Sequence, residues 1–226
     1  MAIIAKQNSG SNIPAIEPDL YQAVCYGVID IGTQQTVYMG QPKHIRQVVL
    51  LFEIPELRID VERDGKKVNL PRATSKKYTL SLSDKSRLYK DLTSWRGIPF
   101  TDEQLKGFDI TAVLGANCLI QMIPYEKDGK KMTVPDTITK LKKGMPKHEA
   151  ENPLVKYSID DDKTNIPASL PDWIKELIGK SEELTAMKKA AANPDIDKAR
   201  NNQLSDFDEF IDQQEHQPID DNDIPF

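Results

Sequence analysis

The chain has 226 residues, 38% of them hydrophobic and 29% charged, with a formal net charge of −5, which suits one domain of ordinary size with polar appendages. No run approaches the roughly 18 apolar residues of a membrane span, and the apolar start is too short for a signal peptide, so we expect a cytoplasmic protein. Cys25 and Cys118 lie in apolar runs without nearby Cys or His, which predicts buried, reduced thiols rather than a zinc site.

The net charge conceals two segments of opposite sign. Residues 1–150 contain 22 Lys and Arg against 17 Asp and Glu, whereas residues 151–226 contain 8 against 18. Lys and Arg are concentrated in two stretches. Residues 63–90 contain nine of them against two acidic residues, and residues 127–147 contain seven against two. Such stretches are typical of a polyanion-binding surface, with a solvated face as the alternative.

The first part of the chain predicts strands. Residues 20–31 are rich in β-branched and aromatic residues and end at Gly32. A polar loop is predicted over residues 33–42, and a strongly apolar strand over residues 45–54 ends at Pro55.

An Asp-Gly pair within residues 63–66 predicts a tight hairpin turn between short strands at residues 57–61 and 68–70. A further strand is predicted over residues 75–82. Its period-two alternation assigns one set of side chains to the core: Tyr78, Leu80 and Leu82.

The period then becomes helical. Apolar residues at i, i+4 and i+7 predict a helix that ends at Gly97. Thr101 and Gln104 form a capping-box pattern, and Asp109 can cap another short turn. The aromatic residues assigned to the core are Phe52, Trp95 and Phe100.

Strands resume over residues 117–125 and 132–141, around a Lys-Asp-Gly-Lys turn. This order of elements matches an elaborated OB-fold, a five-stranded Greek-key barrel that binds oligonucleotides on one face and at two loops. We therefore predict a mainly β, OB-fold-like domain over residues 1–160, with helical insertions. An irregular β-sandwich is the structural alternative.

Residues 161–192 predict short amphipathic helices. Pro171 and Gly179 bound the first helix, and a second one over residues 181–192 stops at Asn193-Pro194. Packing on the barrel is the preferred interpretation, and binding of a partner is the alternative. The apolar stripe of the first helix contains Trp173, Ile174, Leu177 and Ile178.

Residues 193–226 predict a disordered linker and tail, because residues 201–226 contain eight acids and no Lys or Arg. The chain ends in acids followed by Ile-Pro-Phe, an apolar anchor with a terminal carboxylate that a pocket with a basic rim can hold. This ending resembles the C-terminal tip of the single-stranded DNA-binding (SSB) protein family, in a divergent, bacteriophage-like form in which Asn222 interrupts the acidic run. The tip residues are Asp220, Asp221, Asp223, Ile224, Pro225 and Phe226.

The resemblance implies a protein that coats single-stranded DNA without sequence preference and recruits replication, recombination and repair proteins through its tip. A homo-oligomer is one of the assembly states that the resemblance allows. A solubilising brush is the alternative for the tail. Single-strand binding needs Lys and Arg side chains along the phosphates and aromatic rings on which nucleobases stack. The residues predicted to contact DNA are Tyr38, Lys43, Arg46, Arg72, Lys76, Lys77, Tyr125, Lys127, Lys130 and Lys131.

Catalytic motifs find little support. The sequence has no phosphate-binding loop and no nucleophile elbow, and its three histidines are dispersed. The triplet Asp160-Asp161-Asp162 could hold Mg²⁺, but adjacent residues on a strand face opposite ways, which favours a charged turn. We expect no enzyme, cofactor or metal. The alternatives to DNA coating are a strand-annealing or recombination mediator and a decoy that mimics the tip.

Overall fold

The computed structural model describes residues 14–63, 65–127 and 129–192, which form a mainly β structure. No helix in these ranges is long and apolar enough to cross a membrane. The helices are α1 (Arg87–Arg96), α2 (Asp102–Lys106), α3 (Asp172–Gly179) and α4 (Glu182–Ala192), with a 3₁₀ turn over Ile110–Val113. The strands are β1 (Leu20–Tyr38), β2 (Gln41–Arg63), β3 (Lys66–Thr79), β4 (Asn117–Lys127), β5 (Lys130–Thr139) and β6 (Val155–Tyr157).

Five strands form one curled antiparallel sheet in the order β3-β2-β1-β4-β5, and β6 pairs with β1 in parallel. Register shifts in the β1–β2 ladder fall after Cys25 and after Asp30, and such irregularities bend a strand. The curl brings the edge strands together. The Lys76 ammonium on β3 donates to the Asp91 carboxylate of α1 and to the Asp136 carbonyl of β5, so the sheet forms a half-closed barrel.

The concave face of the sheet encloses the larger core. Cys25, Phe52 and Ile54 are fully buried there, and Trp95 of α1 packs on Phe52 with ring centroids 5.8 Å apart. The Trp95 indole N–H donates to the Asn117 carbonyl at 2.8 Å, which satisfies its polar atom. The core positions predicted for Phe52, Tyr78, Trp95 and Phe100 are confirmed.

The convex face carries a second core. Val49 and Leu51 of β2 are buried beneath the C-terminal segment, where Ile174 and Ile178 of α3 are fully buried. Trp173 does not join this stripe and is 44% exposed, because it lies about 100° around the helix from Ile174. β6, α3 and α4 therefore cover the middle of the outer sheet surface.

Two strands extend further than predicted. β1 continues through the polar residues to Tyr38 and β2 begins at Gln41, so the loop predicted over residues 33–42 is wrong. Cross-strand hydrogen bonds compensate there for the weak β-propensity. β2 also runs through Pro55, at a register shift against β3 where the missing proline N–H is tolerated.

Beyond Glu53, β2 pairs only with β3. We call this two-stranded extension, residues 57–71, the arm. Gly65 takes φ 72 in the Asp-Gly turn at its end, which confirms the predicted hairpin. At the other end, β3 stops at Thr79 and Leu80 is 38% exposed, so the core position predicted for Leu80 is wrong.

The predicted end of α1 and the predicted caps of the next two helical turns are confirmed. The Ser86 hydroxyl accepts the Tyr89 N–H at the start of α1, and Gly97 ends the helix with φ 69. Thr101 and Gln104 form the capping box of α2. The Asp109 carboxylate caps the 3₁₀ turn.

Candidate nucleic-acid interface

The residues predicted to contact DNA lie in three parts of the sheet. One group lies in the β1–β2 hairpin, one on β3, and one at the end of the β4–β5 hairpin. Leu20, the first residue of β1, pairs with Gln121 of β4, so the β4–β5 turn lies beyond the start of β1. The β1–β2 turn lies at the other end of the same strand.

The β1–β2 hairpin ends in exposed side chains. Val37 is 74% exposed and Met39 is 86% exposed, and Lys43 on β2 is also exposed. Tyr38 is the last residue of β1, and its side chain lies outside the described part of the structure. Val37 and Met39 were not among the predicted contacts, because the segment that contains them was predicted as a polar loop.

Arg46 is bound by carboxylates. Its guanidinium contacts Asp160 at 2.6 Å, also pairs with Asp30, and lies 3.9 Å from Glu183. The hydrogen bond to Asp30 raises the pKa of Arg46. Arg46 therefore neutralises a local cluster of acids instead of offering a free cation to a phosphate.

The three predicted cations of β3 have different surroundings. Lys77 is exposed on the outer face of the strand. Arg72 is partly buried and donates to the Pro14 carbonyl at 2.7 Å. Lys76 points to the concave side and is 9% exposed, because it shares the parity of Tyr78.

Lys76 belongs to a buried polar cluster. Its ammonium lies 2.5 Å from Asp91, whose carboxylate also accepts the Tyr78 hydroxyl at 2.8 Å. Burial lowers the pKa of Lys76, and burial together with the Asp91 charge raises that of Tyr78. Lys76, one of the residues predicted to contact DNA, is thus buried within the protein, and its interactions hold β3, α1 and β5 together.

The end of the β4–β5 hairpin combines an aromatic ring with lysines. Tyr125 is 46% exposed, and it pairs across the ladder with Met132, which is 40% exposed. Lys131 is exposed on the next position. Lys127 and Lys130 occupy the strand ends, and their side chains lie outside the described part of the structure.

Trp173 is an aromatic candidate that the sequence analysis missed. It was assigned to an apolar stripe, but it is exposed on α3, the helix that covers the convex face. Its indole offers a surface of the kind that nucleobases stack on. Counting its angle from Ile174 and Ile178 around the helix would have separated it from the stripe.

The remaining candidates for chemistry are structural in this fold. Cys25 and Cys118 are buried and free, and burial raises the pKa of both thiols, that of Cys25 to about 12. Asp162 accepts hydrogen bonds from Thr164 and Asn165 in a turn, which lowers its pKa. Across the described residues, no group of three or more His, Cys, Asp or Glu side chains is arranged to hold a metal ion.

The acidic tip, residues 220–226, lies outside the described residues. Among the predicted DNA contacts whose side chains are described, four are exposed: Lys43, Lys77, Tyr125 and Lys131. No protein-family model and no curated protein sequence matches this chain.

Proposed function

We propose that this protein binds single-stranded DNA without sequence preference, as a coating protein in replication, recombination or repair. The observation that carries the proposal is the end of the β4–β5 hairpin, where Tyr125 and Lys131 are both exposed, on opposite faces of the ladder. An exposed ring stacks on a base while neighbouring ammonium groups neutralise phosphates, and neither contact requires a particular sequence.

The strand order supports an OB-fold as the scaffold. The sheet runs β3-β2-β1-β4-β5, and the Lys76 contacts join β3 to β5, so the circular order is β1-β2-β3-β5-β4. OB-folds bind oligonucleotides on the face of strands 2 and 3 and at the loops that join strands 1 to 2 and 4 to 5. These places hold Lys77, the β1–β2 hairpin and the β4–β5 hairpin.

The helices on the convex face narrow the proposed path of the DNA. Val49 and Leu51 are buried, so a strand of DNA does not reach the middle of β2. It passes instead along the outer face of β3 at Lys77 and contacts the two hairpins. We exclude Lys76 and Arg46 from this path, because carboxylates of the protein bind both.

The experiment is a binding titration on single-stranded and duplex oligonucleotides over a range of salt concentrations. We expect preference for the single strand and an affinity that falls as salt rises. Tyr125→Ala should cost about 1 to 3 kcal/mol of binding free energy, the usual value of a stacked base. Lys131→Ala should reduce the salt slope by about 1.

The matched control is Lys106→Ala, since Lys106 is an exposed lysine of α2 that pairs with Glu103. It should leave the affinity and the salt slope unchanged. Equal affinity for duplex, or equal effects of Lys131→Ala and Lys106→Ala, would refute the proposed interface.

We also propose that the tip recruits replication and repair proteins. Deleting Phe226 removes the aromatic anchor and moves the terminal carboxylate to Pro225, while all eight acids of the tail remain. Pull-down of host replication proteins should be lost with this deletion and kept with Gln217→Ala. Unchanged capture after the deletion would favour a solubilising tail.

A further inference from the structure

An apolar groove of about 440 Å³ lies beneath the arm. Its floor contains Tyr26 and Leu51 of the sheet, and its far wall contains Val155, Leu170 and Pro171 from the C-terminal segment. The near wall is the arm itself, through Ile59, Val61 and Leu70. We call this cavity the arm groove.

The arm is amphipathic, and its apolar side faces the groove. Ile59 pairs with Leu70 and Val61 with Val68, so these four side chains share one face of the ladder. All four are half-buried. The alternate residues, among them Glu62 and Lys67, are exposed. A two-stranded ribbon of this kind is marginal alone, and an occupant of the groove would stabilise it.

The N-terminal part of the chain enters at the rim of this groove. Arg72, which lines the groove, donates to the Pro14 carbonyl at 2.7 Å. Ile16 is buried in the concave core, which fixes the chain just beyond that contact. Residues 1–13 thus continue from a point beside the arm groove, and they lie outside the described residues.

The composition of this segment matches the groove. Residues 1–5 read Met-Ala-Ile-Ile-Ala and are all apolar, whereas residues 6–12 are polar apart from one glycine. The spacer of eight residues from position 6 to position 13 spans up to about 26 Å when extended. The apolar face of the arm covers three residues of each strand, 59–61 and 68–70, or about 10 Å, so residues 3 and 4 can reach all of it.

We propose that residues 1–5 of the same chain occupy the arm groove, with Ile3 and Ile4 packed against Val61 and Leu70. Burial of these side chains removes apolar surface from water on both sides of the contact. The short tether raises the effective concentration of the segment to the millimolar range, so a small contact suffices. The proposal concerns the other side of the sheet from the concave core and does not rest on DNA binding.

Disulfide cross-linking of the full chain tests this arrangement. The test pair is Ile4→Cys with Val61→Cys. The control pair is Ile4→Cys with Glu62→Cys, one residue along β2 on the opposite, exposed face of the arm. The native thiols do not compete, because Cys25 and Cys118 are buried and their pKa values are raised.

We expect the test pair to form an intramolecular disulfide roughly tenfold faster than the control pair, which reacts only through random encounters of the tether. Equal rates for the two pairs would overturn the proposal. A disulfide-linked dimer as the main product would also overturn it, because the occupant would then be a second copy.

A second measurement covers the case in which the cysteine variants fold poorly. Ile3→Asp combined with Ile4→Asp should increase hydrogen exchange of the arm amides by several fold. Gln7→Asp combined with Asn8→Asp, in the spacer, should leave exchange unchanged. Identical exchange in the two double variants would also contradict the proposal.

Discussion

Lys76 and Lys77 are neighbours on β3 with opposite environments, and replacing each with Ala separates stability from binding. Lys76→Ala removes the ammonium that pairs with the Asp91 carboxylate at 2.5 Å, and Asp91 is only 5% exposed. Removal of one partner of a buried ion pair costs about 3 to 5 kcal/mol, because the other charge stays buried without compensation. The Tyr78 hydroxyl still donates to Asp91, which favours the lower end of that range.

Such a loss is a large share of a typical unfolding free energy of about 5 to 15 kcal/mol. Urea unfolding followed by circular dichroism gives the difference directly, provided that the slope with denaturant is unchanged. Lys77→Ala should stay within about 0.5 kcal/mol of the parent protein, since Lys77 is exposed. In the oligonucleotide titration the larger effect should come from the other variant. Lys77→Ala should weaken DNA binding, whereas folded Lys76→Ala should not.

A double variant checks the cause of the destabilisation. Lys76→Met with Asp91→Leu removes both charges and should be more stable than Lys76→Ala alone. Equal stabilities of Lys76→Ala and Lys77→Ala would refute the buried ion pair. A loss of DNA affinity in a fully folded Lys76→Ala protein would refute its exclusion from the interface.

Two further predictions concern titration. Burial disfavours the Glu183 carboxylate, but hydrogen bonds from the Thr33 N–H and hydroxyl outweigh it and lower the pKa of Glu183. A carboxylate whose pKa is lowered in the folded state stabilises the fold at pH values above its unfolded pKa of about 4.3. Glu183→Gln should therefore lower the free energy of unfolding by about 1 to 2 kcal/mol at pH 7 and leave it unchanged well below pH 4. Urea unfolding at the two pH values measures this difference. A pH-independent cost would contradict this. Burial raises the pKa of both cysteine thiols, so neither Cys25 nor Cys118 should react with a thiol reagent at pH 8 in the folded protein. Both thiols should react in denaturant. Rapid labelling of the folded protein would contradict their burial.

Local signals in the sequence predicted the parts of the fold that depend on neighbouring residues. The cap of α2, the Asp-Gly turn of the arm and the core position of Tyr78 all follow from spacings of a few residues. The inward position of Lys76 was readable from the same parity as Tyr78, but the basic composition of the stretch suggested a surface role instead.

Other features depend on residues far apart in the chain. β6 has three residues and forms only because Val155 and Tyr157 meet β1, more than a hundred positions earlier. The ion pairs of Arg46 likewise come from Asp160 and Glu183, which no local pattern connects to β2. The sequence therefore predicted the candidate interface as a set of basic strands and did not reveal the acidic residues that pair with Arg46.

The strand β1 belongs to both cores, with Cys25 on the concave side and Ile29 and Ile31 on the convex side. During synthesis its convex side stays uncovered until α3 emerges, roughly 150 residues later, or about 8 to 30 s at ordinary elongation rates of about 5 to 20 residues per second. Until then the nascent chain displays an apolar strip of β1 and β2, which is the kind of surface that chaperones bind. Truncation before α3 should accordingly give an aggregating product, even though every strand of the five-stranded sheet is present.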